Sequence, residues 1–325
     1  MATYIGIKGS DIPAVSSDPS NPILGQLWYN TTSNTLKGYA QAGTGAWATG
    51  GSLLTGTLNS SYIGTQTAAV KSGGGSPPLQ DASESYDGTS WTATNPLLSA
   101  STQAGGAGTQ AAGLAFCGDP TPQRDKTESW DGTCWSEVND LISPRDDTGG
   151  EAGTQTAALC ISGGGGALLT TNVEIYDGTC WAETGNAVNT ARYNAGGCGT
   201  TTASLLVGGR SPTTAKTETY NGSSWTEVTA FNTARYGFGE TGGSPNTAYM
   251  IFGGNPPTSG TDITETWDGS TWTEVADLAT GRQMLAQGTC GTSILGLAVG
   301  GGTPTAVTTV EEFTVPNATK TFTSS

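Results

Sequence analysis

Histidine is absent from all 325 residues. Its absence removes Ser-His and Cys-His nucleophile pairs and every site that needs an imidazole as base or metal ligand; a Ser-Lys or two-carboxylate arrangement stays open. Cations are scarce too. Twelve Lys plus Arg stand against 27 Asp plus Glu, for a net charge of −15. With no basic cluster to displace counterions from phosphates, nucleic acid and anionic membrane are not expected as partners. Charged residues are 12 % of the chain, half of the roughly 25 % usual in soluble domains. No apolar run approaches the ~18 residues that cross a bilayer. Residues Met1 to Lys8 lack the long apolar core of a signal peptide. A signal removed earlier, or exit by lysis or assembly, is the expectation from that start. No stretch carries apolar residues at three- and four-residue spacing, so helices are not expected. The six cysteines, Cys117, Cys134, Cys160, Cys180, Cys198 and Cys290, contain no CxxC pair. They are expected as free, small apolar side chains.

What the chain does have is a repeat. Glu84-Ser85-Tyr86-Asp87-Gly88-Thr89-Ser90-Trp91 returns as Glu128 to Trp135, Glu174 to Trp181, Glu218 to Trp225 and Glu265 to Trp272, with a worn copy at Glu311-Glu312-Phe313. Successive tryptophans lie 44, 46, 44 and 47 residues apart. A Gly-Thr-Gln/Thr segment (Gly64, Gly108, Gly153, Gly199) and a glycine doublet (Gly73-Gly74, Gly163-Gly164, Gly208-Gly209, Gly253-Gly254, Gly300-Gly301) keep the same beat. Three signals locked at one period in the mid-forties predict tandem four-stranded antiparallel blades and an all-β propeller. The Asp-Gly and Asn-Gly steps suit tight hairpins, which accounts for their carboxylates without a metal or catalytic role. The aromatic and the Trp are expected between neighbouring blades. The repeated Glu is expected to accept hydrogen bonds from a neighbouring loop.

Residues 1–24 fall outside the repeat and read as a proline-bearing arm, with Tyr4 to Ile7 as an added strand at most. Residues 25–50 read as a meander, and Trp47 lies on the beat, 44 residues before Trp91. The body therefore runs from 25 to 325, with later units at about 51–98, 99–142, 143–188, 189–232, 233–279 and 280–325. Seven blades follow, the first from the N-terminal segment. The rival is six blades with 1–50 docking elsewhere. Thr319 to Thr323 either forms the outer strand of the last blade or pairs with the N-terminal one.

Acids that break the repeat include Asp146, Asp147, Glu151 and Glu240; for the densest cluster, Asp146-Asp147 beside Arg145, a solvated loop is the simplest account. Arg145, Arg192, Arg235 and Arg282 recur at the entry to the inner strand. They form either a ring that binds an acidic glycan, aided by Tyr193 and Tyr236, or ion pairs with the repeated glutamates. No cofactor or metal is called for.

The glycine doublet, Glu-x-Tyr and Trp at this period resemble kelch-type β-propellers over roughly 51–325, although the Tyr-to-Trp spacing is short and the turn is Asp-Gly. Kelch relatives that hold copper use histidine, so that chemistry is not implied here. Asp18 to Thr31, followed by Leu36-Lys37-Gly38-Tyr39, resembles a segment found near the N-terminus of bacteriophage tail, fibre and decoration proteins. The Thr-Glu-x-Tyr-Asp-Gly-x-x-Trp repeats are similar to propellers of phages of aquatic bacteria. This resemblance implies a non-enzymatic virion protein. Its N-terminal segment, with Trp28, Tyr29 and Tyr39, would attach it to other virion proteins or to copies of itself as a homo-oligomer, and its propeller would bind a host-surface glycan. A secreted bacterial adhesin and a glycan-cleaving enzyme are the alternatives.

Overall fold

The computed structural model describes residues 12–75, 78–119, 125–145, 147–164, 169–243, 245–256, 260–288, 291–302 and 305–322. Tyr4 to Ile7, Asp146, Cys290 and Thr323 lie outside them. Among the described residues there are strands and no helix, arranged in seven sheets. The chain divides into two units: residues 46–314, and a smaller one made of residues 1–45 with 315–325.

The larger unit holds six sheets in chain order. The fourth shows the plan: Gly196–Thr200, Ala203–Val207, Thr217–Tyr220 and Trp225–Val228, each antiparallel to the next. The tight turn at Asn221-Gly222 and its Asp-Gly equivalents are fixed by the side chain of the first residue. Asp87 Oδ1, for example, accepts from the N–H groups of Thr89 and Ser90, both at 2.8 Å. The Thr89 hydroxyl and these two amides hold the Asp87 carboxyl down to about 2. Second strands such as Tyr249–Phe252 are buried throughout because both faces of the sheet meet neighbours.

Three devices recur between neighbouring sheets. The glycine after the second strand donates its N–H to a carbonyl of the following sheet: Gly74 to Ser101 at 2.6 Å, Gly118 to Arg145 at 3.2 Å, Gly254 to Arg282 at 2.8 Å. Gly74 has φ +97, and a Cβ there would lie 2.2 Å from Thr57 Oγ1, so both conformation and space demand glycine. The glutamines of the Gly-Thr-Gln turns reach back into the preceding sheet. Gln110 Nε2 donates to Tyr86 O at 2.6 Å, and Gln155 Nε2 to Trp130 O at 2.7 Å. The outer-strand tryptophans do likewise: Trp135 Nε1 reaches Ser83 Oγ at 3.2 Å and Trp181 Nε1 reaches Thr127 Oγ1 at 3.0 Å.

The same devices close the ring. Strand Leu295–Val299 of the sixth sheet packs against Ser61–Thr65 of the first. Gln66 Nε2 donates to Phe313 O at 2.6 Å, and Tyr86 Oη bonds Glu312. The apolar cluster of Tyr62, Tyr86, Trp91, Leu297, Val299 and Val310 fills this junction. The larger unit is thus an all-β ring of sheets, propeller-like.

The number of sheets matches the expected seven, but residues 25–50 do not make one blade. Ala46–Thr49 is the outer strand of the sixth sheet, paired with Val310–Thr314. Trp47 packs against Phe313 and Phe252, and its indole donates to Thr264 Oγ1 at 3.1 Å, the task that Trp135 and Trp181 perform elsewhere. The worn repeat at Glu311-Glu312-Phe313 lacks its own Trp because Trp47 fills that place. Residues 27–41 instead join the smaller unit, whose sheet runs Ala14–Val15, Leu27–Asn30, Thr35–Gln41 and Asn317–Phe322. The C-terminal strand accordingly pairs with the N-terminal meander, not with the last blade.

Candidate functional site

The four repeated arginines are buried, so a solvent-facing ring of cations is corrected to a set of internal ion pairs. Arg145 pairs with Glu174, Arg192 with Glu218, Arg235 with Glu265 and Arg282 with Glu311, the last three at 2.6 to 2.7 Å. Further N–H groups reach carbonyls, as Arg282 does to Gly300 at 3.0 Å and Thr309 at 2.8 Å, while the Nε groups of Arg192, Arg235 and Arg282 have no partner among the described residues. The partner glutamates also accept from the loop entering the sheet: Glu174 from Ile142 N at 2.8 Å, Glu265 from Asn232 N at 2.8 Å. Removing one partner of such a pair leaves a buried charge and costs about 3–5 kcal/mol, so these residues hold the ring.

The two tyrosines meet a cation that the sequence reading passed over. Arg210 directly follows the Gly208-Gly209 doublet, where the other described repeats carry Gly75, Asp119, Asn255 or Gly302. A two-way backbone bridge fixes it beside Tyr193, with Arg210 N to Tyr193 O at 2.9 Å and Tyr193 N to Arg210 O at 3.3 Å. Tyr236 and Asn255 form the matching bridge in the fifth sheet, at 2.7 and 3.2 Å. The Arg210 guanidinium carbon lies 5.1 Å from the Tyr193 ring centroid and 4.7 Å from that of Tyr236. Asn255 Nδ2 donates to Tyr236 Oη at 2.6 Å. All four residues are half-buried, and among the described residues no carboxylate pairs with Arg210. Flanking rings hold the guanidinium by its faces and leave the donors on its edge for a ligand. Such an edge suits a carboxylate or sulfate, while phenol and amide groups suit sugar hydroxyls.

A second arrangement lies on the inner strands. Glu151 of Thr148–Thr154 and Glu240 of Gly239–Thr241 are fully buried on the first strands of the third and fifth sheets, and the charge of one acts on the other. Thr148 Oγ1 donates to Glu151 at 3.2 Å, Gly197 N to Glu240 at 2.9 Å, and Tyr249 Oη also bonds Glu240. Burial raises the Glu151 carboxyl to about 8, and burial together with the charge of Glu151 raises that of Glu240. Carboxyls so enclosed keep their protons and face no cleft, and the pair differs in this from the two acids of a glycosidase. Among the described residues no group of three or more metal-ligating acids or thiols occurs. Nor is any helix there long and apolar enough to cross a membrane.

At the mouth formed by the hairpins between first and second strands, Gly64, Gly108, Gly153, Gly199, Gly243 and Gly291 from all six sheets line a cavity of about 360 Å³, with Thr65, Thr109, Thr154 and Thr200 beside them. Its wall has no charged side chain.

In the smaller unit Trp28 is buried, and its indole donates to Asp18 Oδ1 at 3.0 Å, so it is a structural residue and not a docking one. Asn30 Nδ2 at 2.7 Å and Lys37 Nζ at 2.8 Å complete the ring of donors around Asp18, whose carboxyl they lower to about 2, Lys37 most strongly. Tyr39 is half-buried; Tyr29 is exposed, as are Ile23, Leu24 and Phe322. Comparison with protein-family models gave no match, and comparison with curated proteins gave none either.

Proposed function

We propose that the chain is a non-catalytic, kelch-type β-propeller of a bacteriophage virion, which binds an acidic glycan of the host surface through Arg210, Tyr193, Tyr236 and Asn255. The observation that carries the binding reading is the half-buried guanidinium held between two phenol rings with no carboxylate partner among the described residues. A protein with net charge −15 repels polyanions at long range, so a single cation framed by aromatic rings favours short, oriented contact over general charge attraction. The virion reading rests on the resemblance of residues 18–39 to phage structural proteins. The exposed Ile23, Leu24, Tyr29 and Phe322 of the smaller unit supply apolar surface for attachment to other virion proteins or to copies of the chain.

Calorimetric titration of the full chain with a sulfated or carboxylated oligosaccharide and with its neutral parent tests the binding. The acidic form is expected to bind, and Arg210→Ala to weaken it by at least about tenfold, the loss of one charge-assisted contact. Equal binding of both forms, or an Arg210→Ala variant that binds unchanged, refutes the assignment. Proteomic analysis of purified phage particles tests the location: the chain should be found in them in stoichiometric amount.

A further inference from the structure

We propose that Cys117 and Cys160 are an oxidisable pair that forms a disulfide stapling the second sheet of the ring to the third. Both are free thiols in this structure, and their sulfurs lie 3.1 Å apart, about 1 Å beyond the ~2.05 Å of an S–S bond. Cys117 closes the second strand of its sheet in a left-handed conformation, φ +62, at the place where other repeats carry the first glycine of the doublet. That conformation turns its side chain into the apolar cluster shared with Leu114, Phe116, Cys160, Tyr176 and Trp181. Cys160 enters from Ala157–Gly163 of the neighbouring sheet. No other pair of described cysteines has its sulfurs in contact; Cys134 and Cys180 are exposed in Asp-Gly turns.

A small cavity lined by Leu97, Ser101, Ala115, Lys126 and Glu128 adjoins Cys117, while Cys160 is fully buried. The space is about that of one small molecule such as water or hydrogen peroxide. The Cys117 thiolate attacks one peroxide oxygen and the O–O bond breaks, giving a sulfenic acid and hydroxide, which takes up a proton to leave as water. The Cys160 sulfur then displaces the sulfenic hydroxyl, and the thiol proton leaves with it as a second water. Two thiols lose two electrons and two protons, and one peroxide is reduced to two waters. Burial raises the Cys117 thiol well above its ordinary value, so the thiolate is rare and the reaction is slow, quickening as pH rises.

The test uses the full chain carrying Cys134→Ser and Cys180→Ser, which removes the exposed thiols. Peroxide treatment of the folded protein, alkylation under denaturing conditions and peptide mapping should give a peptide pair linked through Cys117 and Cys160, lighter by two hydrogen atoms. The oxidised form should melt about 5 °C above a phosphine-reduced sample, because the bond closes a loop of more than forty residues. Alkylation of both residues after a control dithiol is fully oxidised overturns the proposal, as does Cys117 sulfinic acid beside intact Cys160. The wild-type peptide map decides the matter if the double variant does not fold.

Discussion

Trp225 and Trp91 carry buried indole N–H groups with no hydrogen-bond partner among the described residues. The reason lies one sheet away. The acceptor for the outer-strand indole is the residue before the repeated glutamate: Ser83 for Trp135, Thr127 for Trp181, Thr217 for Trp272, Thr264 for Trp47. For Trp225 and Trp91 that residue is Val173 or Val310, which has no hydroxyl. A buried donor without an acceptor costs about 1–3 kcal/mol. Val173→Thr keeps the branched shape and places an oxygen where the other sheets have one. It should stabilise the ring by about 1 kcal/mol in denaturant unfolding. A loss of stability would mean that the indole is satisfied in another way. The tryptophan beat was plain in the sequence because spacing alone defines it. Their partners were not, because a hydroxyl before the glutamate acquires meaning only when a neighbouring sheet brings an indole to it.

The glutamate of the third strand is an element-scale device, and its six copies are not supplied alike. Four sheets place an arginine under it from the entry loop. The first has Thr57 at that place, and Lys71, the cross-strand partner of Glu84, brings the cation from the second strand instead. The second sheet has Ser101 there and Ala115 opposite Glu128, so burial raises the Glu128 carboxyl and a small cavity adjoins it. Ser101→Arg should fill that cavity, lower the Glu128 pKa and raise stability by about 2 kcal/mol, the scale of a buried charge regaining its partner. Thermal unfolding and carboxyl NMR titration read the two effects; a lower melting temperature would show that the slot cannot take the side chain. Arg145, Arg192, Arg235 and Arg282 were legible as a repeating set, and so were the glutamates. Whether they met each other or solvent was not, since burial depends on how the entry loop folds over the sheet. Arg210 escaped notice because it sits in the connection that varies most between repeats.

For the whole molecule, the buried carboxyls of Glu151 and Glu240 act on each other from the third and fifth sheets, on either side of the fourth, whose Gly197 N–H donates to Glu240. Both folded-state values lie above the ordinary carboxylate range, with Glu151 at about 8. Tyr249 and Cys198 flank Glu240, and both are raised by burial, so neither supplies a countercharge. The folded ring therefore binds more protons than the unfolded chain, whose glutamates titrate near ~4.3. The contribution is complete below that value and is lost as pH rises towards 8 and beyond, at about 1.4 kcal/mol per pH unit for each proton. Stability measured by denaturant between pH 5 and 8 should fall with pH, and Glu240→Gln should flatten the fall. A profile that rises over this range would contradict it. The exposed Asp18 and Asp87 are held low, so their contributions change only near pH 2 to 4 and leave this window clear. The two glutamates stood out in the sequence as acids off the repeat, but 89 residues separate them and only the packing of the third, fourth and fifth sheets brings them near each other.

Ala46–Thr49 is made early and Val310–Thr314 late, yet the two complete one sheet. At a ribosomal rate of about 5–20 residues per second, the early strand waits on the order of tens of seconds for its partner. Five sheets can form meanwhile, each from contiguous chain, while a short segment bearing Trp47 stays without a mate. Its brevity and its polar flanks then become a safeguard during synthesis, because a longer apolar edge left open for that time would recruit the same edge of a neighbouring nascent chain.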